Sequence, residues 1–149
     1  MSTSHTRLAV VGRSIPVRTL LALAALVAAV ATVGSLYFSL GLGLVPCELC
    51  WYQRILMYPL VVVLGVASLD ERPGVYRSAL PLSLGGLGVA AYHTVLQVSP
   101  SVGGTCGLGG GCASIQYALF GGLLTIPRLS LLAFSLISLA LVALVVGEY

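Results

Sequence analysis

Residues Thr19 to Leu44 read TLLALAALVAAVATVGSLYFSLGLGL, a stretch without one charged side chain. A helix needs about 20 apolar residues to cross the hydrocarbon core of a bilayer, and this stretch exceeds that, so it alone takes the chain out of water. Lipid offers no partner to a backbone N–H or C=O, which leaves the helix as the way for an open chain to span it. Three further runs come close to the same spanning length. Trp51 to Leu69 has Arg54 near its start, Ser78 to Val98 contains His93 as its one ionisable group besides tyrosine, and Leu129 to Gly147 carries no charge at all. The expectation is an all-α membrane four-helix bundle, one integral membrane domain over 1–149, with helices at about 19–44, 51–69, 78–98 and 128–147.

Composition points the same way. The chain is 58% hydrophobic and 7% charged, against about 25% charged residues in ordinary soluble domains. It contains no lysine, and its formal charge of +3 is dispersed, which gives no support to nucleic-acid binding. Arg7, Arg13 and Arg18 precede the first run as they would in a signal peptide, but the apolar core of a signal is about 7–15 residues; a retained span is expected. Arg72 and Arg77 lie between the second and third runs, beside Asp70 and Glu71, whereas the opposite loops hold only Arg54 and Arg128, both at helix starts. The positive-inside rule then puts both termini and the loop with Arg72 and Arg77 in the cytoplasm, and the two cysteine loops on the extracytoplasmic side of the cell membrane.

Local signals fill in the spans. Trp51 and Tyr52 suit the aromatic belt at the interface, with Tyr58 and Tyr92 read as belt or packing residues. Pro59 is expected to kink the second helix. Gly85, Gly86, Gly88, Ala90 and Ala91 allow close helix packing in lipid. Pro127 marks the entry to the last helix. The glycines between Gly103 and Gly111 predict a mobile loop, and Ala113 to Leu119 a short interfacial helix with Tyr117 and Phe120 toward lipid.

The four cysteines carry the chemistry. Cys47 and Cys50 form a Cys-Glu-Leu-Cys motif at the start of the second helix; Cys106 and Cys112 lie in the glycine-rich loop. Both pairs face the outer compartment, where disulfides persist, and thiol–disulfide exchange needs the access that glycine gives. A Cys-x-x-Cys at a helix N-terminus gains thiolate stability from free N–H groups and the helix dipole. Arg54 sits one turn beyond Cys50 on the same face, adding positive charge, while Glu48 acts in the opposite sense. Two dithiols facing one compartment at the lipid boundary can pass electrons between them and on to a lipid-soluble acceptor. Arg54 would bind a quinone carbonyl there, or snorkel to the interface. His93 would donate to a quinone oxygen or relay a proton, or bond a neighbouring helix; Gln97 shares its face. Zinc binding by the four cysteines is disfavoured because the intervening segment of the second pair is longer than that of the first. A purely structural role suits Cys47 and Cys50 poorly, since so tight a ring closes almost no loop.

The segment Pro46-Cys47-Glu48-Leu49-Cys50-Trp51-Tyr52-Gln53-Arg54 resembles the Pro-Cys-x-x-Cys-x-Tyr-x-Arg segment of the DsbB family, the disulfide bond formation proteins B. Tyr92-His93-Thr94-Val95-Leu96-Gln97, followed by Pro100 and Cys106, resembles that family's third helix and outer loop, and Thr125-Ile126-Pro127 is similar to its short BdbC-type members. The resemblance implies a protein-disulfide:quinone oxidoreductase that re-oxidises a soluble DsbA-like thioredoxin-fold protein. Cys106 would form the mixed disulfide with that partner, Cys112 would exchange with Cys47, and Cys50 would face a quinone of the ubiquinone or menaquinone type, with Arg54 and His93 beside it. No metal is implied. Only Gly107 to Gly111 separate the loop cysteines here, a shorter segment than in better-known members. A vitamin K epoxide reductase-like enzyme is the alternative catalyst, but there the loop pair comes first along the chain. A non-catalytic scaffold with structural disulfides is the alternative outside enzymes. An outward conductor of reductant would need thiols reachable from the cytoplasm.

Overall fold

The computed structural model describes residues 7–10, 13–99 and 112–147. Four helices among the described residues are long and apolar enough to cross a membrane. Helix α1 spans Val17–Leu36 and continues as a π-helical turn over Tyr37–Gly41; α2 spans Glu48–Leu69, α3 Tyr76–Val98 and α4 Ile126–Gly147. Each coincides with an apolar run, with ends shifted by a few residues. The first helix stops at Gly41, short of Leu44, because Leu42 and Leu44 donate back to the Tyr37 and Phe38 carbonyls while Gly43 takes a φ of +67°. That left-handed conformation is one that glycine adopts without steric cost.

The helices form a bundle in which each packs on its neighbours in sequence, and α4 returns to close against α1. Lipid supplies no hydrophobic force between helices, so contact rests on close fit and polar bonds. The α3–α4 seam has both. Gly86 faces Phe134 so closely that a Cβ there would overlap the ring. Three residues before Gly86, Ser83 Oγ lies 2.6 Å from Ser138 Oγ, also across the seam. Leu21, Leu60, Leu64, Phe134, Ile137, Leu141 and Leu144 are fully enclosed. Leu23, Val33, Val62 and Leu139 project outward, as lipid-facing side chains should.

At the end carrying the α2–α3 connection, the Asp70-to-Gly74 turn is short and polar; Arg72 and Asp70 form an exposed ion pair at 3.2 Å. At the same end Arg7–Val10 (β1) and Arg13–Pro16 (β2) pair antiparallel, a hairpin that the sequence pattern does not announce. Two expectations change at the opposite end. Ala113 to Leu119 is not a helix: 113–117 are irregular and Ala118–Leu119 (β3) pairs with Leu124–Thr125 (β4) around a turn holding Gly121 and Gly122, both at positive φ. Two adjacent glycines in that conformation favour a reversal of the chain over helix propagation. Phe120 is exposed, whereas Tyr117 packs on Phe38 with ring centroids 5.0 Å apart. The glycine-rich stretch 103–111, with Cys106, lies outside the described residues.

Candidate active site

Cys47 caps α2 in an extended conformation, and its carbonyl accepts from Trp51 N at 3.1 Å, the first bond of the helix. The first turn of α2 then brings Cys50 back beside it. Both thiols are free and their Sγ atoms are 3.1 Å apart, within hydrogen-bonding distance. The Cys47 thiol is held far below the ordinary range, at about 4: the hydrogen bond with Cys50 is the largest cause, desolvation opposes it, and His93 adds a second hydrogen bond and charge attraction. Cys47 is therefore a thiolate at neutral pH, the form that attacks and leaves in disulfide exchange.

His93 reaches the pair from α3. It is buried, and its Nε2 lies 3.8 Å from Cys47 Sγ and 3.1 Å from the carbonyl oxygen of Cys112. Cys112 is itself enclosed and disulfide-bonded. One imidazole nitrogen thus touches a cysteine of the helix pair and the backbone of a cysteine of the loop pair. Two amides hold the following segment in place: Gln97 Nε2 donates to Ser114 O at 3.3 Å, and Gln116 Nε2 to Val45 O at 3.1 Å. The second bond ties the loop after Cys112 to the chain just before Cys47.

Arg54 lies one turn beyond Cys50 and turns toward the end of α1. Its Nε donates to Ser35 Oγ and its Nη2 to Ser35 O, both at 2.9 Å, with a further contact to Ser39 Oγ. Its guanidinium carbon sits 5.4 Å from the Trp51 ring centroid. The π-helical turn that begins at Tyr37 carries Ser39; such widened turns recur at functional sites. Cys50, Gln53 and Arg54 form one end of a cavity of about 520 Å³ between α1, α2 and α4, which continues past Val30, Ala31 and Ala133 to Leu26 and Leu136. Its walls are apolar apart from this end. His93 does not line it; the imidazole meets Cys47, while Cys50 and Arg54 meet the cavity.

The structure thus brings Cys47, Cys50, Cys112 and His93 together and puts Arg54 beside Cys50, with Cys106 outside the described residues. Tyr52 and Tyr92 are half exposed and Tyr58 packs against the core. Ser35, Ser39, Gln53 and Ser130 did not stand out in the sequence. The one signal for Gln53 was an amide on the second turn of a spanning helix, where a polar group is costly.

A membrane bundle with a Cys-x-x-Cys at a helix start, Cys112 joined to it through His93 and an apolar cavity beside it belongs to the class of membrane thiol oxidoreductases. Comparison with known proteins gives the family. The model of the family described as disulfide bond formation protein DsbB matches residues 17–145. Disulfide bond formation protein C of Bacillus subtilis (strain 168) is 45% identical over 113 residues, covering 74% of this chain and 81% of the relative. A probable disulfide formation protein of Oceanobacillus iheyensis is 40% identical over 115 residues, covering 72% and 75%. One from Coxiella burnetii (strain Dugway 5J108-111) is 38% identical over 120 residues, covering 78% and 81%. No solved structure matches. The chain belongs to the DsbB family of disulfide bond formation proteins, and it is a multi-pass membrane protein.

Proposed function

We propose that this protein is a protein-disulfide:quinone oxidoreductase, which re-oxidises a soluble extracytoplasmic thioredoxin-fold dithiol protein and so drives disulfide formation. The single observation that carries this reading is that Cys50 and Arg54 line one apolar cavity while Cys47, 3.1 Å from Cys50, meets His93, whose Nε2 also meets the Cys112 carbonyl. The dithiol pair has one sulfur toward each side of the transfer.

The partner's dithiol attacks the Cys106–Cys112 disulfide through Cys106, leaving the partner oxidised and the loop pair reduced. The Cys112 thiolate attacks Cys47 of an oxidised Cys47–Cys50 pair, and Cys50 leaves. Cys106 then attacks Cys112, re-forming the loop disulfide and expelling Cys47. A low-pKa thiol leaves fastest, so the stabilised Cys47 thiolate drives this step forward. The Cys50 thiol and the His93 ring hold the expelled charge.

The cavity fits a quinone by its chemistry: apolar walls for a ring and isoprenoid tail, with a guanidinium at the end next to Cys50. A quinone bound there would accept the two electrons and two protons released as Cys47 and Cys50 close to a disulfide. Arg54, fixed by Ser35 and Ser39, presents positive charge where negative charge develops during that transfer, a preorganised arrangement that costs no reorientation. With both termini in the cytoplasm, following the arginine distribution, the cysteine loops face the oxidising compartment.

The test is to supply the purified protein with a reduced thioredoxin-fold oxidase and a soluble ubiquinone or menaquinone analogue. Quinone absorbance should fall catalytically, in step with disulfide formation in the partner. Partner oxidation without quinone consumption, under anaerobic conditions, would overturn the reading.

A further inference from the structure

The buried imidazole of His93 has a second partner that the exchange scheme leaves unused. Gln53 Nε2 lies 3.2 Å from His93 Nδ1, and Ser130 Oγ donates to Gln53 Oε1 at 2.8 Å. Ser130 Oγ also lies 3.1 Å from Pro127 O. Three helices meet in this chain of bonds: α2 through Gln53, α3 through His93 and α4 through Ser130. Gln53 is 5% exposed and His93 3%. An unpaired polar group at either buried position would be costly, so the bonds constrain each other.

The pairing determines the tautomer. Cys112 O can only accept, so the nitrogen facing it, Nε2, carries a proton. In neutral imidazole Nδ1 then has a lone pair, which takes the Gln53 amide donor. The same proton-bearing Nε2 faces Cys47 Sγ at 3.8 Å. If His93 gains a second proton, Nδ1 becomes a donor and needs an acceptor. Turning the Gln53 amide over supplies Oε1 to Nδ1 and its NH2 group to Ser130 Oγ. The Ser130 hydroxyl then donates to Pro127 O, a bond whose geometry is already present. Both charge states of His93 are satisfied with no buried donor or acceptor left over.

We propose that Gln53, anchored by Ser130, is a positioning residue that holds the Nε2–H of His93 toward Cys47 and, by turning its amide, lets His93 take up and give back a proton beside that sulfur with no buried donor or acceptor left unpaired. The inference rests on the thiol-oxidase reading for its purpose but not for its geometry. In the balance, the proton that a Cys47 thiol gives up is the one that His93 takes when Gln53 has turned. It is released when Cys47 and Cys50 close to a disulfide and electrons pass to the quinone. Both Gln53 and Ser130 line the cavity, whereas His93 does not, so the amide stands between the imidazole and that space.

The groups facing His93 from each side define what else bears on it. The segment leading into α2 and its first turns bring the Cys47 and Cys50 thiols, Glu48, whose carboxylate is engaged with Tyr52, and Arg54, turned toward α1. The loop brings Cys112, which is disulfide-bonded and does not titrate. From α4, Arg128 is directed at the Gly122 and Leu123 carbonyls. Gln53 is the group whose change would act on His93 without altering any of these charges.

The experiment measures iodoacetamide alkylation of Cys47 by peptide mass spectrometry across pH, on the full-length reduced protein in detergent. In Gln53→Leu Nδ1 loses its partner and a protonated ring its acceptor, so the midpoint of Cys47 alkylation should rise by about one pH unit, a tenfold loss of thiolate below the midpoint. In Gln53→Glu the carboxylate accepts from Nδ1–H and favours imidazolium, so the midpoint should stay or fall. Ser130→Ala, which loosens the amide, should give a smaller rise, and it decides the matter with Gln53→Glu should Gln53→Leu fail to insert. Leu and Glu variants moving together, or all three profiles overlying the parent, would overturn the proposal. Opposed shifts in a protein that cannot reduce quinone would uphold Gln53 while removing the proposed electron acceptor.

Discussion

The two sides of α4 are built differently. Toward α3 it packs Phe134 into the space left by Gly86, and Ser138 bonds Ser83. Toward α1 and α2 the same helix borders the cavity, with Ala133 and Leu136 on its wall. One face is closed to the limit that side-chain volume allows; the other leaves room for a molecule. Because lipid gives no general force to draw helices together, a bundle of this size holds its shape where small residues and buried hydroxyls make contact. The α3–α4 seam can thus keep His93 and Ser130 in register while the α1 side stays receptive.

The most damaging change to the receptive side is removal of its sulfur. Cys50→Ser should abolish quinone reduction outright, measured by quinone absorbance, while Cys106 still forms a mixed disulfide with the partner. The same position controls Cys47. Since hydrogen bonding with Cys50 is the largest cause of the lowered Cys47 value of about 4, Cys50→Ala should send the alkylation midpoint up toward an ordinary thiol, about 8.5. The shift should exceed that in His93→Ala, and an equal or larger effect in His93→Ala would reverse the ranking. In the parent, alkylation of Cys47 should be flat across neutral pH, because the thiolate is already fully formed there.

Arg54→Ala should slow quinone reduction by roughly a hundredfold, about 3 kcal/mol for loss of one preorganised donor. Arg54→Lys should not rescue it, since an ammonium lacks the planar fork that engages Ser35 twice. Mixed-disulfide formation should hardly change, and stopped-flow measurement of both steps separates them. Unaltered quinone kinetics would make Arg54 an interfacial anchor.

Filling the two sides should then give opposite signatures. Gly86→Val forces a branched side chain into the Phe134 ring, and overpacking of that kind costs about 1–3 kcal/mol; the melting temperature in detergent should fall. Ala31→Leu on the cavity wall should leave melting nearly unchanged and raise the KM for quinone about tenfold, equivalent to about 1.4 kcal/mol. If both variants lose stability alike, the cavity is ordinary packing space. The smallest effect is expected from Ser83→Ala, about 1 kcal/mol for a hydrogen bond across the seam, read as a small drop in the same melting curve.

Four spanning helices were readable because lipid imposes a length and a composition, and neither depends on which helix meets which. Cys47, Cys50 and Arg54 were readable because their relation is local: three and four residues of one helix advance about a turn. The proximity of Cys112 to His93 was out of reach. So was the contact of His93 with Cys47, which depends on the rotation of α3 about its axis. In a soluble helix an apolar stripe reveals that rotation; in lipid both faces are apolar, and the signal disappears. The helix expected over Ala113 to Leu119 failed for a related reason, since its strand pairing is fixed by residues beyond it, at Gly121 and Gly122.

The linear chain therefore settled the membrane architecture, the presence of two dithiols and the charge beside one of them, each a matter of composition or of spacing within a turn. Packing of α2, α3 and α4 decided that Gln53, His93 and Ser130 form one bonded chain, that Cys47 meets His93, and that Cys50 faces the cavity. Those relations join residues 40 and 77 positions apart, and only the rotation and crossing of rigid helices bring such positions within hydrogen-bond distance.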